Sequence, residues 1–132
     1  MSCPMIKRKS LWSLLLAPLV LAGCASNTIT NITPQQHVRN ANGLYPVEAR
    51  WDSSQHSIRK DSIRPYVVVG SEYYPMRMTT LTKNRWETVV PVPATQKFLN
   101  YRFKFDYEYD SIPIPRADSK SSPTYQLEIL EK

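Results

Sequence analysis

The stretch Leu99-Asn100-Tyr101-Arg102-Phe103-Lys104-Phe105-Asp106-Tyr107-Glu108-Tyr109 alternates without a break between large apolar or aromatic residues and polar ones. Successive side chains of an extended backbone point to opposite faces. Leu99, Tyr101, Phe103, Phe105, Tyr107 and Tyr109 therefore share one face, and Asn100, Arg102, Lys104, Asp106 and Glu108 share the other. This is the pattern of a central strand with one face on a core and one in water, which places Phe103 and Phe105 inside and Arg102 and Lys104 outside.

Shorter stretches repeat the period. Val47, Ala49 and Trp51 alternate with Glu48 and Arg50, and Tyr125, Leu127 and Ile129 alternate with Gln126 and Glu128. Tyr66 to Val69, the turn residues Gly70-Ser71-Glu72 and then Tyr73 to Met78 read as a hairpin in which Gly70 supplies the backbone freedom. Trp86 to Val92 reads as a further strand whose Pro91 and Pro93, lacking an N–H, suit a strand end or an edge. Six to seven such strands predict an all-β, antiparallel two-sheet sandwich over residues 44–132. The composition agrees: 132 residues, 42% hydrophobic, suffice for one globular domain, and 11 prolines against 3 glycines argue against long helices.

The first residues belong to a different kind of segment. Lys7, Arg8 and Lys9 precede the apolar run Leu11 to Ala22, which as a helix would span only about 18 Å, too short for a bilayer core of about 30 Å. This is the layout of an export signal, and Met5 is as good a start as Met1. The run ends in Leu21-Ala22-Gly23-Cys24. That tetrapeptide resembles the lipobox of bacterial lipoproteins. The resemblance covers residues 1–24 and implies cleavage between Gly23 and Cys24, lipidation of the Cys24 thiol and acylation of the new amino terminus. It also implies a cell-envelope location, and Ala25 after the cysteine points to the outer membrane.

Cleavage there removes residues 1–23, and with them Cys3 and the three cations Lys7, Arg8 and Lys9, half of the formal charge of +6. What remains has a single cysteine, hence no internal disulfide, and only a mild positive excess. No arginine-rich run or base-stacking motif accompanies it, so a nucleic-acid partner is not expected. Residues 24–43 are polar, rich in Asn, Thr, Ser and Gln, and show no hydrophobic period. They read as the lipidated cysteine followed by a flexible tether. Asn31-Ile32-Thr33 matches a glycosylation sequon by chance.

A second resemblance rests on Val67-Val68-Val69-Gly70-Ser71 with Tyr74-Pro75-Met76, and on Arg85-Trp86-Glu87-Thr88-Val89-Val90-Pro91-Val92-Pro93 with Asn100-Tyr101-Arg102-Phe103-Lys104-Phe105. These stretches resemble the hairpin and the Trp, Pro and Tyr-x-Phe-x-Phe strands of immunoglobulin-like sandwiches of the starch-binding and glycogen-binding group. The resemblance implies an immunoglobulin-like sandwich and makes a carbohydrate one expected class of ligand.

Residues able to support catalysis or metal binding are sparse. The two histidines are His37, in the tether, and His56, in the polar loop Asp52-Ser53-Ser54-Gln55-His56-Ser57. A Ser-His-Asp site would have to be assembled from that loop, and two separated histidines with one acylated cysteine fall short of a zinc site. Asp106, Glu108 and Asp110 share a strand face, but Arg102 and Lys104 extend the same row, so a charged, solvated face explains them. No enzyme activity, cofactor or metal is expected. The expected function is that of a lipid-anchored interaction or structural module meeting an envelope protein, or alternatively a glycan. The contact residues singled out are Tyr73 and Tyr66. Adjacent residues in a strand face opposite ways, so Tyr74, on the side of Met76 and Met78, should be inward and Tyr73 outward, with Tyr66 its neighbour across the hairpin.

Overall fold

The computed structural model describes residues 26–80 and 82–132. The expected signal segment 1–23 and the expected cleavage and lipidation site at Gly23–Cys24 lie outside the described residues. Ten strands run in chain order: β1 (Asn27–Asn31), β2 (Gln36–Val38), β3 (Leu44–Ser53), β4 (Arg64–Val69), β5 (Glu72–Pro75), β6 (Arg77–Met78), β7 (Arg85–Pro91), β8 (Phe98–Tyr109), β9 (Arg116–Ser121) and β10 (Tyr125–Leu130). One sheet has the order β1-β3-β7-β6; the other has the order β2-β10-β8-β4-β5, with β9 also paired to β8. The chain is an all-β sandwich.

β8 is its spine. Twelve residues long, it pairs with β10 through Phe98–Tyr101, with β4 through Arg102–Asp106 and with β9 through Lys104–Tyr109. Its inward row Leu99, Tyr101, Phe103, Phe105 and Tyr107 is buried, and Tyr109 packs at the rim of the same core. Tyr45, Val47, Ala49 and Trp51 of β3 and Val90 of β7 meet that row from the opposite sheet, and Leu127 and Ile129 of β10 extend it. Trp51 stacks on Phe105 with ring centroids 4.9 Å apart and planes 11° apart. Burying such aromatics, at about 25 cal/mol per Å² of apolar surface, is the main stabilisation available to a chain of this size.

Pro46 sits inside β3 without damage because β1 has already ended opposite Ala49, so no ladder partner on that side needs its N–H. A two-residue turn, Gly70-Ser71 with Gly70 at φ +58°, closes the β4–β5 hairpin at the expected place.

Three expectations are corrected, and one strand falls where none was stated. First, there are more strands than six or seven. Second, residues read as a tether carry two of them: β1 pairs antiparallel with β3, Asn27 opposite Ser53 to Asn31 opposite Ala49, and β2 lies parallel to β10. Asn27, Ile29 and Asn31 of β1 share the side of the core-facing Trp51 and Ala49, and the two asparagines donate to the hydroxyls of Tyr107 and Tyr101 at 3.0 and 2.9 Å. Third, the strand expected from Tyr73 to Met78 breaks. β5 ends at Pro75, the Met76 amide bonds the carbonyl of Pro65, and Arg77 and Met78 join β7 in the other sheet. Met76 is buried but Met78 is exposed, not inward. The strand without a prior reading is β9, Arg116–Ser121, an edge strand with every residue exposed and no apolar alternation to announce it. Its charges Arg116, Asp118 and Lys120 discourage pairing with a further strand.

Candidate functional site

The expected contact residues lie on the outer face of the second sheet. Tyr74 is opposite Val67 in the ladder and packs on the core, whereas Tyr73, opposite Val68, is 49% exposed. Tyr66 and Tyr73 do meet, with centroids 5.8 Å apart, but their planes cross at 74°. Two perpendicular rings do not make the flat stacking platform that a sugar ring needs. Lys104 places its ammonium 5.7 Å from the centre of the Tyr73 ring, close enough for a cation–π contact. Val68, which points to this same outer side, is only 2% exposed. Covering Val68 gives Tyr73 a structural task besides any contact with a ligand.

Of the expected acidic row, Asp106 and Glu108 lie on the outer side of the same sheet, whereas β8 ends at Tyr109 and leaves Asp110 in the loop that follows. The Asp106 carboxylate is 3.0 Å from the Lys104 ammonium and its residue stands opposite Arg64 in the ladder. Among the described residues no three His, Cys, Asp or Glu side chains gather as they would around a metal ion.

A cleft of about 500 Å³ opens at the end of the sandwich where β3 finishes and β7 begins. Its floor is aromatic, from Trp51 and Trp86, which both pack on Phe105, and Ile58, Ile63 and Met78 form its walls. His56, Lys60 and Lys83 stand at its rim. The loop serines beside His56 are engaged elsewhere. Ser53 Oγ donates to Asn27 Oδ1 and accepts the Gln55 amide, Ser54 Oγ accepts the Ser26 amide at 2.7 Å, and Ser57 Oγ accepts the Gln55 side-chain amide at 3.1 Å. Their bonds tie the loop to β1 and hold no hydroxyl against the imidazole, as base-assisted attack would require. His37, in turn, lies in β2 near Tyr45, on the carbonyl of Pro46.

Two features had no reading from sequence. On the outer face of the first sheet, Leu44 stands opposite Pro91 and Pro46 opposite Val89, all four exposed, so a small apolar patch spans β3 and β7. The alternation of Leu44 and Pro46 with Tyr45 and Val47 was the available signal. The other feature is the β8–β9 loop, Asp110 to Pro115, where Ile112 is 92% and Ile114 66% exposed. The run Ile-Pro-Ile-Pro marks a loop, but nothing local says that its isoleucines remain outside.

In comparisons with known proteins, no family model matches this chain and no curated protein matches it.

Proposed function

We propose that this protein is a lipid-anchored lipoprotein of the bacterial cell envelope, on the outer membrane, whose β-sandwich serves as a non-enzymatic interaction module for an envelope protein. The observation that carries this reading is the start of β1. Asn27 is already in the ladder, three residues after the lipobox cysteine, and the Ser26 amide is bonded to Ser54. An acyl anchor on Cys24 would thus hold the sandwich directly at the bilayer surface. For the interaction itself, the patch of Leu44, Pro46, Val89 and Pro91 supports a protein partner, since a contiguous exposed apolar group on a small domain commonly marks a contact surface. The loop serines held away from His56 support a non-catalytic role. The crossed rings of Tyr66 and Tyr73 favour this reading over a glycan platform.

Mass spectrometry of the native amino-terminal peptide tests the anchor. The expected peptide begins at Cys24 and carries acyl chains, and Cys24→Ser should yield an uncut or unlipidated chain; a bare peptide with another start refutes the reading. Cross-linking from Val89 and from Glu108 tests the surface: a defined envelope protein captured from Val89 alone is expected, and equal capture from both positions would show that the patch is not the contact.

A further inference from the structure

We infer that the end of the sandwich carrying Ile112 and Ile114 rests in the lipid surface, the β8–β9 loop acting as a second membrane contact beside the acyl anchor. The inference rests on the lipoprotein reading and adds to it an orientation and a named contact.

Chain reach comes first. Cys24 and Ser26 are two residues apart, at most about 7 Å of extended chain, and Ser26 is bonded to Ser54. The acyl chains would therefore leave the domain at the end where the 54–58 segment lies. The β8–β9 loop is at that same end. The Asp110 amide bonds the carbonyl of Ser57, Ile58 bridges to Tyr109, and Asn27 bonds Tyr107. The loop and the incoming chain thus flank one short segment.

The chemistry of that end suits a bilayer. Ile112 and Ile114 are exposed and each is followed by a proline, Pro113 and Pro115, which donates no hydrogen bond and restricts the backbone, so little further ordering is needed when the isoleucines enter an apolar phase. Stable attachment generally takes more than one membrane signal, and two exposed isoleucines beside an acylated cysteine supply one. The opposite end, where the β7–β8 turn holds Thr95, exposes Val38, Leu44 and Phe98 by 40–54%, less than the 92% and 66% of Ile112 and Ile114.

The test uses the full chain expressed and processed in a bacterial host, then reconstituted into vesicles of phosphatidylethanolamine and phosphatidylglycerol. Ile112→Cys carries an environment-sensitive fluorophore on the introduced thiol, and Thr95→Cys is the control; both sites are exposed, and circular dichroism checks that the fold is kept. In the mature acylated chain Cys24 has no free thiol, so only the introduced one is labelled. Mass spectra of the same preparation report acylation. The expected result is an acylated chain whose probe at position 112 is blue-shifted, several-fold brighter and quenched by lipid-borne quenchers, with the probe at position 95 unaffected. An acylated chain with a water-like probe at position 112 overturns the inference and leaves the anchor standing. A blue shift already present without vesicles, in a Cys24→Ser background that also carries Cys3→Ser so that position 112 holds the sole thiol, means that a second copy covers the loop and also overturns it. An unacylated chain overturns the proposed function together with this inference.

Discussion

β8 and β1 lie in opposite sheets and meet across the core through two hydrogen bonds, Asn31 to Tyr101 and Asn27 to Tyr107. They contribute to it in different ways. β8 removes a row of large apolar side chains from water, and each ring contributes in proportion to the area it buries. β1 brings little apolar surface apart from Ile29, and its asparagines instead supply donors to hydroxyls that burial of Tyr101 and Tyr107 would otherwise strand. An aromatic core with phenolic oxygens is complete only when a polar strand closes over it, because an unsatisfied buried polar group costs about 1–3 kcal/mol.

The sharpest way to break this contrast is to delete a ring from β8. Phe103→Ala should lower stability by about 3–5 kcal/mol, since the site is fully buried and packed against Tyr101 and Tyr125. Lys104→Ala, one residue on and facing out, loses an ion pair with Asp106 and a cation–π contact with Tyr73, about 1 kcal/mol at most. Chemical denaturation of both variants decides it, and equal losses would refute the assignment of faces.

For β1 the expected effect is smaller and of another kind. Asn31→Ala leaves the Tyr101 hydroxyl without its donor and should cost about 1–3 kcal/mol, whereas the same change in a loose tether would cost almost nothing. Combining it with Tyr101→Phe separates the causes. If the hydroxyl is the reason, the double variant is less destabilised than the sum of the two singles, and strict additivity would mean that Asn31 acts through something other than this bond.

On the outer side of β8 the change should be smaller again. Tyr73→Ala uncovers Val68 and should cost about 1 kcal/mol in stability by the same denaturation measurement. A cost near zero would mean that Val68 is covered by other neighbours and that the ring of Tyr73 is free to serve a ligand.

The same contrast explains how much of the molecule was legible in its sequence. β8, β3, β4, β7 and β10 could be read because one face of each buries apolar side chains, which writes a period of two into the residues. β1 has the same period in Asn27, Ile29 and Asn31 against Thr28 and Thr30, but its inward residues are mostly polar, so hydrophobicity conceals it; the run Thr-Ile-Thr, β-branched throughout, was the remaining signal. β9 buries nothing and exists through its ladder with β8 alone. The break at Met76 depends on which sheet has a vacant edge, which no local pattern records. Of the candidate contacts, alternation oriented Tyr73 and Tyr74 correctly, but the angle between the Tyr66 and Tyr73 rings is a tertiary property. The cleft and the Ile112–Ile114 loop arise from strand ends meeting, beyond the reach of period two.

The smallest expected effect, and the one most specific to the β1–β8 contact, is the titration of Tyr107. Burial, and next the nearby Asp118 carboxylate, push its phenol above the ordinary tyrosine range, while the bond from Asn27 pulls it down. A folded-state value above the unfolded one means that the folded chain holds the proton more tightly. The contribution to stability is therefore complete below the ordinary value of about 10 and is lost as the pH rises from there through the folded-state value. Tyr107→Phe should flatten this alkaline loss and leave the acid side unchanged. Asn27→Ala should move the Tyr107 titration further upward, because it removes the donor that stabilises the phenolate. Ultraviolet titration of phenolate formation in the two variants and the parent chain measures both effects. An unmoved titration in Asn27→Ala would mean that β1 does not hold the Tyr107 hydroxyl in solution, leaving burial and Asp118 to account for the shift.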